Sequence, residues 1–188
     1  MKRYIIHKGT VAILPDYDKF GNENSVVIEK DRFLHLEKRP RQIIKESFQE
    51  MGQDYRGSIN GARFVLKRRN KIPFAFFAQD DIVLIPVQTI DNKGTIYLVS
   101  SHIQEVDEIP KGAKVVFKNG VAIHVGMKKR KLNDKRYQAS HLKDEMTGKY
   151  KLWKKDALAY DPEPNEVLMI SDNMGPYIVD CGKQMKDQ

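Results

Sequence analysis

Arg39-Pro40-Arg41-Gln42-Ile43-Ile44-Lys45-Glu46-Ser47-Phe48-Gln49-Glu50-Met51-Gly52-Gln53-Asp54-Tyr55-Arg56-Gly57 holds the one helix whose start, face and end can all be read from residues alone. Pro40 suits a first helical position, because it has no amide hydrogen to leave unpaired there. Ile44, Phe48 and Met51, flanked by Ile43, then repeat at four- and three-residue spacing and mark an inward face. Gly52 is the residue type that closes a helix in the left-handed conformation. Gly57, Asn60 and Gly61 follow soon after, which argues against a second helix and hence against a helix-turn-helix.

Working outward, the material on either side reads as β. Thr10-Val11-Ala12-Ile13-Leu14 is strand-like and closed by Pro15-Asp16, and Ser25 to Lys30 forms a second run. Arg63 to Lys67 is a candidate strand. Ile82 to Val87 and Thr95 to Val99 flank the turn-rich Asp91-Asn92-Lys93-Gly94, with Pro86 pointing to an edge or strand end. Val115 to Lys118 and Val121 to Val125 are joined by Asn119-Gly120, a hairpin signal in which both turn residues tolerate positive φ. A helix is expected around Asn133 to Met146, with Tyr137, Leu142 and Met146 turned inward, and a shorter segment around Leu152 and Trp153. These elements predict an α+β fold, with a mostly antiparallel sheet and two principal helices in a single compact domain. That domain would span residues 1–160. Asp161-Pro162-Glu163-Pro164-Asn165 reads as a linker into an acidic tail, 161–188, which either adds a last strand or serves as a docking segment.

The chain has 188 residues and a formal charge of +8. That charge is unevenly spread: residues 1–71 carry +7, 72–110 carry −5, 111–155 carry +11 and 156–188 carry −5. No apolar run approaches the length of a membrane span, and the N-terminus does not read as a signal peptide, so a cytoplasmic protein is expected. Cys181 is the sole cysteine, which excludes an internal disulfide and a cysteine-rich metal site.

Three basic clusters stand where elements end: Lys38-Arg39-Pro40-Arg41, Lys67-Arg68-Arg69-Asn70-Lys71 and Lys128-Lys129-Arg130-Lys131. Each alone reads as a solvated face. Together they point to a polyanion, since every neutralised phosphate releases condensed counterions and loop-borne arginines suit a narrow A·T-rich minor groove. Catalytic signals are weak by comparison. Pro15-Asp16 with Asp91-Asn92-Lys93 superficially matches a magnesium nuclease, but both stretches read as strand ends and turns. The five histidines have no metal-ligand spacing, and no phosphate-cradling glycine loop or hydrolase elbow is present. Neither an enzyme, a cofactor nor a metal is expected.

The segment Arg39-Pro40-Arg41-Gln42-Ile43-Ile44, then Ser47, Met51-Gly52, Tyr55 and Gly57, resembles the core of the ComK competence transcription factor family. The flanks Lys8 to Pro15, Ile28 to Asp31, Leu84-Ile85-Pro86 with Thr89, and Val115 to Gly120 resemble the family in the same order. It departs at Ser58-Ile59-Asn60, where the family carries basic residues, and in the tail. The resemblance implies a sequence-specific DNA-binding activator of competence genes, working at the nucleoid. It would bind double-stranded paired A·T-rich boxes, largely through the minor groove, as a homo-oligomer (dimer or tetramer), with a protease adaptor as a further partner. Arg39 and Arg41 are then assigned to the groove or its phosphates, Lys67, Arg68 and Arg69 to a backbone clamp, and Lys128, Lys129, Arg130 and Lys131 to a second clamp. The competing reading is a basic nucleic-acid or partner-binding regulator without sequence-specific DNA binding.

Overall fold

The computed structural model describes residues 3–154, 167–172 and 175–180. Along the chain run β1 (Thr10–Tyr17), β2 (Glu23–Glu29), β3 (Phe33–Leu36), α1 (Pro40–Glu50), α2 (Tyr55–Leu66), β4 (Phe74–Phe77), β5 (Ile82–Gln88) and β6 (Thr95–Val99). After a single 3-10 turn, Ser100–His102, come β7 (Ile103–Ile109), β8 (Gly112–Phe117), β9 (Ala122–Val125), α3 (Lys129–Lys154), β10 (Val167–Asp172) and β11 (Gly175–Asp180). The class is α+β and the sheets are antiparallel. One sheet is six-stranded in the order β3-β2-β1-β6-β5-β4, and a second is three-stranded, β7-β8-β9. Residues 1–149 form one compact unit and 150–188 another. In the second, β10 and β11 pair with each other, Val167 opposite Asp180, so the tail strands make their own hairpin. The expected linker at 161–165 and Cys181 lie outside the described residues.

α1 starts and ends as its residues require. Pro40 sits in the first turn after Arg39. Gly52, at φ +66°, donates to the Gln49 carbonyl, and Gln53 donates to that of Phe48. These two bonds form the paired closure of a Schellman turn. Ile43, Ile44 and Phe48 are fully buried, whereas Met51 caps the helix and is 45% exposed, contrary to the spacing argument.

The expected strand at Arg63 to Lys67 is instead the end of a helix. Asp54 caps α2 by accepting from the amides of Arg56 (3.2 Å) and Gly57 (2.7 Å), and Lys67 closes it in the left-handed conformation. Helices α1 and α2 are thus joined by a short turn, against the expectation drawn from the glycines. Gly61 stands in an open helical turn, with nothing within 4 Å of where a Cβ would be, so it weakens α2 by about 1 kcal/mol relative to alanine and relieves no internal clash.

α1 packs on β1 and β6, and α2 on β4. Edge-to-face rings fasten them: Phe48 to Phe76 (4.9 Å between centroids), Phe48 to Tyr55 (5.8 Å), Tyr55 to Phe74 (5.5 Å) and Phe74 to Tyr97 (6.2 Å). The opposite face of the large sheet is also buried at Ala12, Leu98 and Ile85. Val115, Phe117 and Val125 of the second sheet, with Leu132, Ala139 and Leu142 of α3, belong to the same buried apolar cluster.

α3 is longer than the expected helix and absorbs Leu152 and Trp153. Leu142 is buried as expected, but Tyr137 is 77% exposed and Met146 is exposed. At the β8–β9 turn only Gly120 has positive φ. Asn119 does not, because Gly120 donates to the Phe117 carbonyl and closes the turn with Asn119 in an ordinary conformation.

Removing the ring that joins helices to sheet tests the packing scheme. Phe48→Ala should cost about 3–5 kcal/mol of unfolding free energy in urea, with Phe48→Leu losing less. A loss under 1 kcal/mol for the alanine variant would show that the aromatic cluster does not hold α1 and α2 in place.

Candidate nucleic-acid interface

β4 pairs with β5 only from Phe74↔Leu84 to Phe77↔Ile82, so the far half of β5 has no strand on that side. Gln88 gives its carbonyl to the Gly126 amide at 2.8 Å instead. Gly126 is pressed so close to Thr89 that a Cβ would lie 2.3 Å from the Thr89 carbonyl oxygen, a distance only glycine avoids. Between β4 and this contact the sheet edge is bare at Pro86, which makes Pro86 a local edge residue, as its chemistry demands.

Into that gap opens a cleft of about 210 Å³, with Tyr55, Phe74 and Tyr97 as its floor and Arg63, Arg69 and Lys71 on its walls. No carboxylate lines it. The Arg63 guanidinium donates to the Arg69 carbonyl (3.2 Å) and to Asn60 Oδ1 (3.3 Å), which folds the loop after α2 back over the cleft. In the amide orientation that satisfies both neighbours, Gln88 accepts from Lys71 Nζ at 3.1 Å and donates to the Gly94 carbonyl. Burial pushes the Tyr97 phenol up to about 12, with Tyr55 as a smaller cause, so it remains a neutral hydrogen-bonding group. Arg41 reaches the same place from α1, its guanidinium carbon 5.9 Å from the centre of the Tyr55 ring.

α3 adds a third source of charge. Lys135 is half-buried and close enough to Lys71 for the two ammonium groups to repel. Burial first, and Lys71 second, push it down to about 8. Among the described residues no carboxylate is paired with it. One turn earlier on the same face is Lys131, and Lys129, Arg130 and Lys131 fill a first turn that contains no acid. Cations there oppose the helix macrodipole, and a bound anion would relieve both strains.

The sequence-derived residues separate accordingly. Arg41 and Arg69 meet at the cleft. Lys67 and Arg68 border it on an adjoining open surface with Phe64. Lys128 to Lys131 are exposed where α3 begins, just after the Gly126 contact. Arg39 is exposed and does not line the cleft; its Nε lies 3.8 Å from Glu23, a carboxylate within electrostatic reach of Tyr97, and Lys38 is paired with Glu46. Lys71 closes the basic run Lys67 to Lys71 seen in the sequence, whereas Arg63 and Lys135 lie outside the runs and take their place from the α2 helix and the packing of α3.

Two groups that could suggest catalysis are accounted for structurally. The Asp91 carboxylate accepts from Thr89 Oγ1 (2.6 Å) and the Lys93 amide (3.1 Å), bonds that hold it below the usual carboxylate range and close the turn. Burial alone would raise the Glu29 carboxyl, but Arg32, His7 (2.8 Å) and Tyr4 (3.0 Å) bond to it and hold it low. Among the described residues, no group of three or more His, Cys, Asp or Glu could hold a metal ion, and no helix is long and apolar enough to cross a membrane.

The family model for the ComK protein matches residues 1–151. The chain belongs to the ComK family. A competence transcription factor from Bacillus subtilis (strain 168) is 22% identical over 175 residues, covering 92% of this chain and 91% of that protein. No solved structure matches the chain.

The Lys135 charge has a measurable signature. Its folded value lies below the ordinary 10.5, so the unfolded chain keeps a proton that the folded chain has released. The charge therefore opposes folding at neutral pH, and this penalty fades between about 8 and 10.5. Lys135→Met should raise the thermal midpoint at pH 7 and raise it less at pH 10. An equal gain at both would assign the effect to packing and not to charge.

Proposed function

We propose that this chain is a sequence-specific DNA-binding activator of competence genes, and that the cleft between α2, the loop that follows it and the β5–β6 hairpin is where it grips the phosphate backbone. Family membership and the competence transcription factor relative support a regulator of transcription in competence. The observation that carries the DNA reading is that Arg63, Arg69 and Lys71 line a cleft with no carboxylate in its lining, with Arg41 of α1 over its Tyr55 and Lys135 of α3 within electrostatic reach of its Lys71. Charge gathered from distant parts of a chain on a rigid frame suits a duplex backbone better than it suits solubility alone.

Under this reading the protein is a binding protein and not an enzyme. It acts in the cytoplasm at the nucleoid, with paired A·T-rich boxes read largely through the minor groove by a dimer or tetramer. A protease adaptor would be a further partner. Single-stranded RNA is disfavoured by the cleft floor, because Tyr55, Phe74 and Tyr97 are buried and offer no open ring on which a base could stack.

A gel-shift titration at two salt concentrations tests this, using a duplex with paired A·T tracts, the same duplex with altered spacing, and single-stranded RNA of equal length. Binding should favour the correctly spaced duplex. Lys71→Ala should weaken binding to every duplex and lower the salt slope by about 0.9, the loss of one phosphate contact. Arg39→Ala should change the slope less, since Glu23 already faces that guanidinium. Equal binding of all three nucleic acids would leave a general basic module in place of a sequence-specific activator.

A further inference from the structure

α2 buries Tyr55 and Ala62 and turns Arg56, Asn60, Gly61 and Phe64 to the outside. Phe64 is 68% exposed. Its described ring neighbours are cations: Lys67 Nζ lies 4.2 Å from the ring centre and Lys149 Nζ 5.8 Å. Arg63, Lys67, Arg68 and Arg69 surround it on the open surface, and α2 itself contains no Asp or Glu. The ammonium groups are attracted to the face of the ring, and Lys149 also lies 3.7 Å from Glu145, but the exposed apolar area is costly in water and has no role in the core. The surface complementary to it is apolar and flat at the centre and anionic at both sides. Stacked base pairs between two phosphate strands have that character.

We propose that the outer face of α2 lies against the DNA minor groove and that Phe64 wedges between two neighbouring base pairs at a pyrimidine–purine step, kinking the duplex. The proposal rests on the DNA-binding reading above. Lys67, Arg68 and Lys149 hold the phosphates that flank the inserted ring. Apolar side chains placed this way partly unstack a step and open the minor groove, and the bend brings more protein surface into contact. TA steps unstack most readily, so a wedge would favour A·T-rich sites without reading the donor and acceptor pattern of any base. Gly61, one turn before Phe64, adds clearance for the groove wall.

The test uses the full chain, with a paired A·T-tract duplex carrying 2-aminopurine at a central TA step and a fluorophore at each end. Wild-type protein should raise the 2-aminopurine emission, reporting unstacking, and shorten the end-to-end distance. Phe64→Ala should bind roughly tenfold more weakly, the scale of one lost aromatic–base contact. It should also lose the emission rise and the bend, yet keep the wild-type salt slope, because no charge is removed. Phe64→Leu, which retains an apolar wedge, should keep part of both signals. Since Phe64 is exposed, both variants should melt with the wild type.

Wild-type binding with no emission rise and no bend overturns the wedge and leaves the DNA reading standing. Distortion by Phe64→Ala equal to wild type does the same. Equal weakening of single-strand and duplex binding by Phe64→Ala would make the ring a stacking platform and overturn the wedge. Failure of the wild type to bind duplex at all overturns both readings.

Discussion

The ring of Phe48 lies edge-on to Tyr55 and Phe76, and through them α1, α2 and the β4 edge of the large sheet become one packed body. The cleft depends on this contact. Tyr55 is both a member of the cluster and part of the cleft floor, and Arg41 is carried by the helix that Phe48 anchors. A shift of α1 by a fraction of a turn would carry Arg41 off the Tyr55 ring that forms part of the cleft. Pre-set positions let a cationic surface bind without first ordering long side chains, whose freedom is otherwise lost on association.

The same body tolerates electrostatic arrangements that weaken it. Lys135 is half-buried beside Lys71, and cations crowd the first turn of α3. The carboxylates are deployed elsewhere. Glu46 meets Lys38, Glu29 meets Arg32 and His7, and Asp81 meets Lys143. None of these pairs involves Arg63, Arg69 or Lys71, the cations that line the cleft.

The sequence announces α1 through Pro40 and Gly52, because each is a residue type with a single strong backbone consequence. α2 is hidden for the converse reason. Gly57 and Gly61 lower its helix propensity, and Phe64-Val65-Leu66 is a short apolar run between Arg63 and Lys67 of the kind a strand shows. The Asp54 cap and packing on β4 override those local preferences. Periodicity also misassigns Met51 and Tyr137, which are exposed at helix positions where spacing alone predicts burial. Basic clusters are visible as runs, so Arg69 and its neighbours are found. Arg63 and Lys135 lie outside the three basic runs and come near the cleft only through tertiary packing, whereas Arg39 does not line it and lies beside Glu23.

Pro86 gives the bare stretch of β5 a further significance. Gln88, two residues on and facing the same way, offers its carbonyl outward to Gly126, so the imino nitrogen of Pro86 also faces outward, into the gap beyond β4. An unpaired strand edge ordinarily presents a donor and an acceptor that invite another chain to extend the sheet, and proline withholds the donor. The mouth of the cleft is therefore closed to β-sheet extension by a neighbouring copy, so an edge left open beside the basic residues carries no invitation to strand pairing.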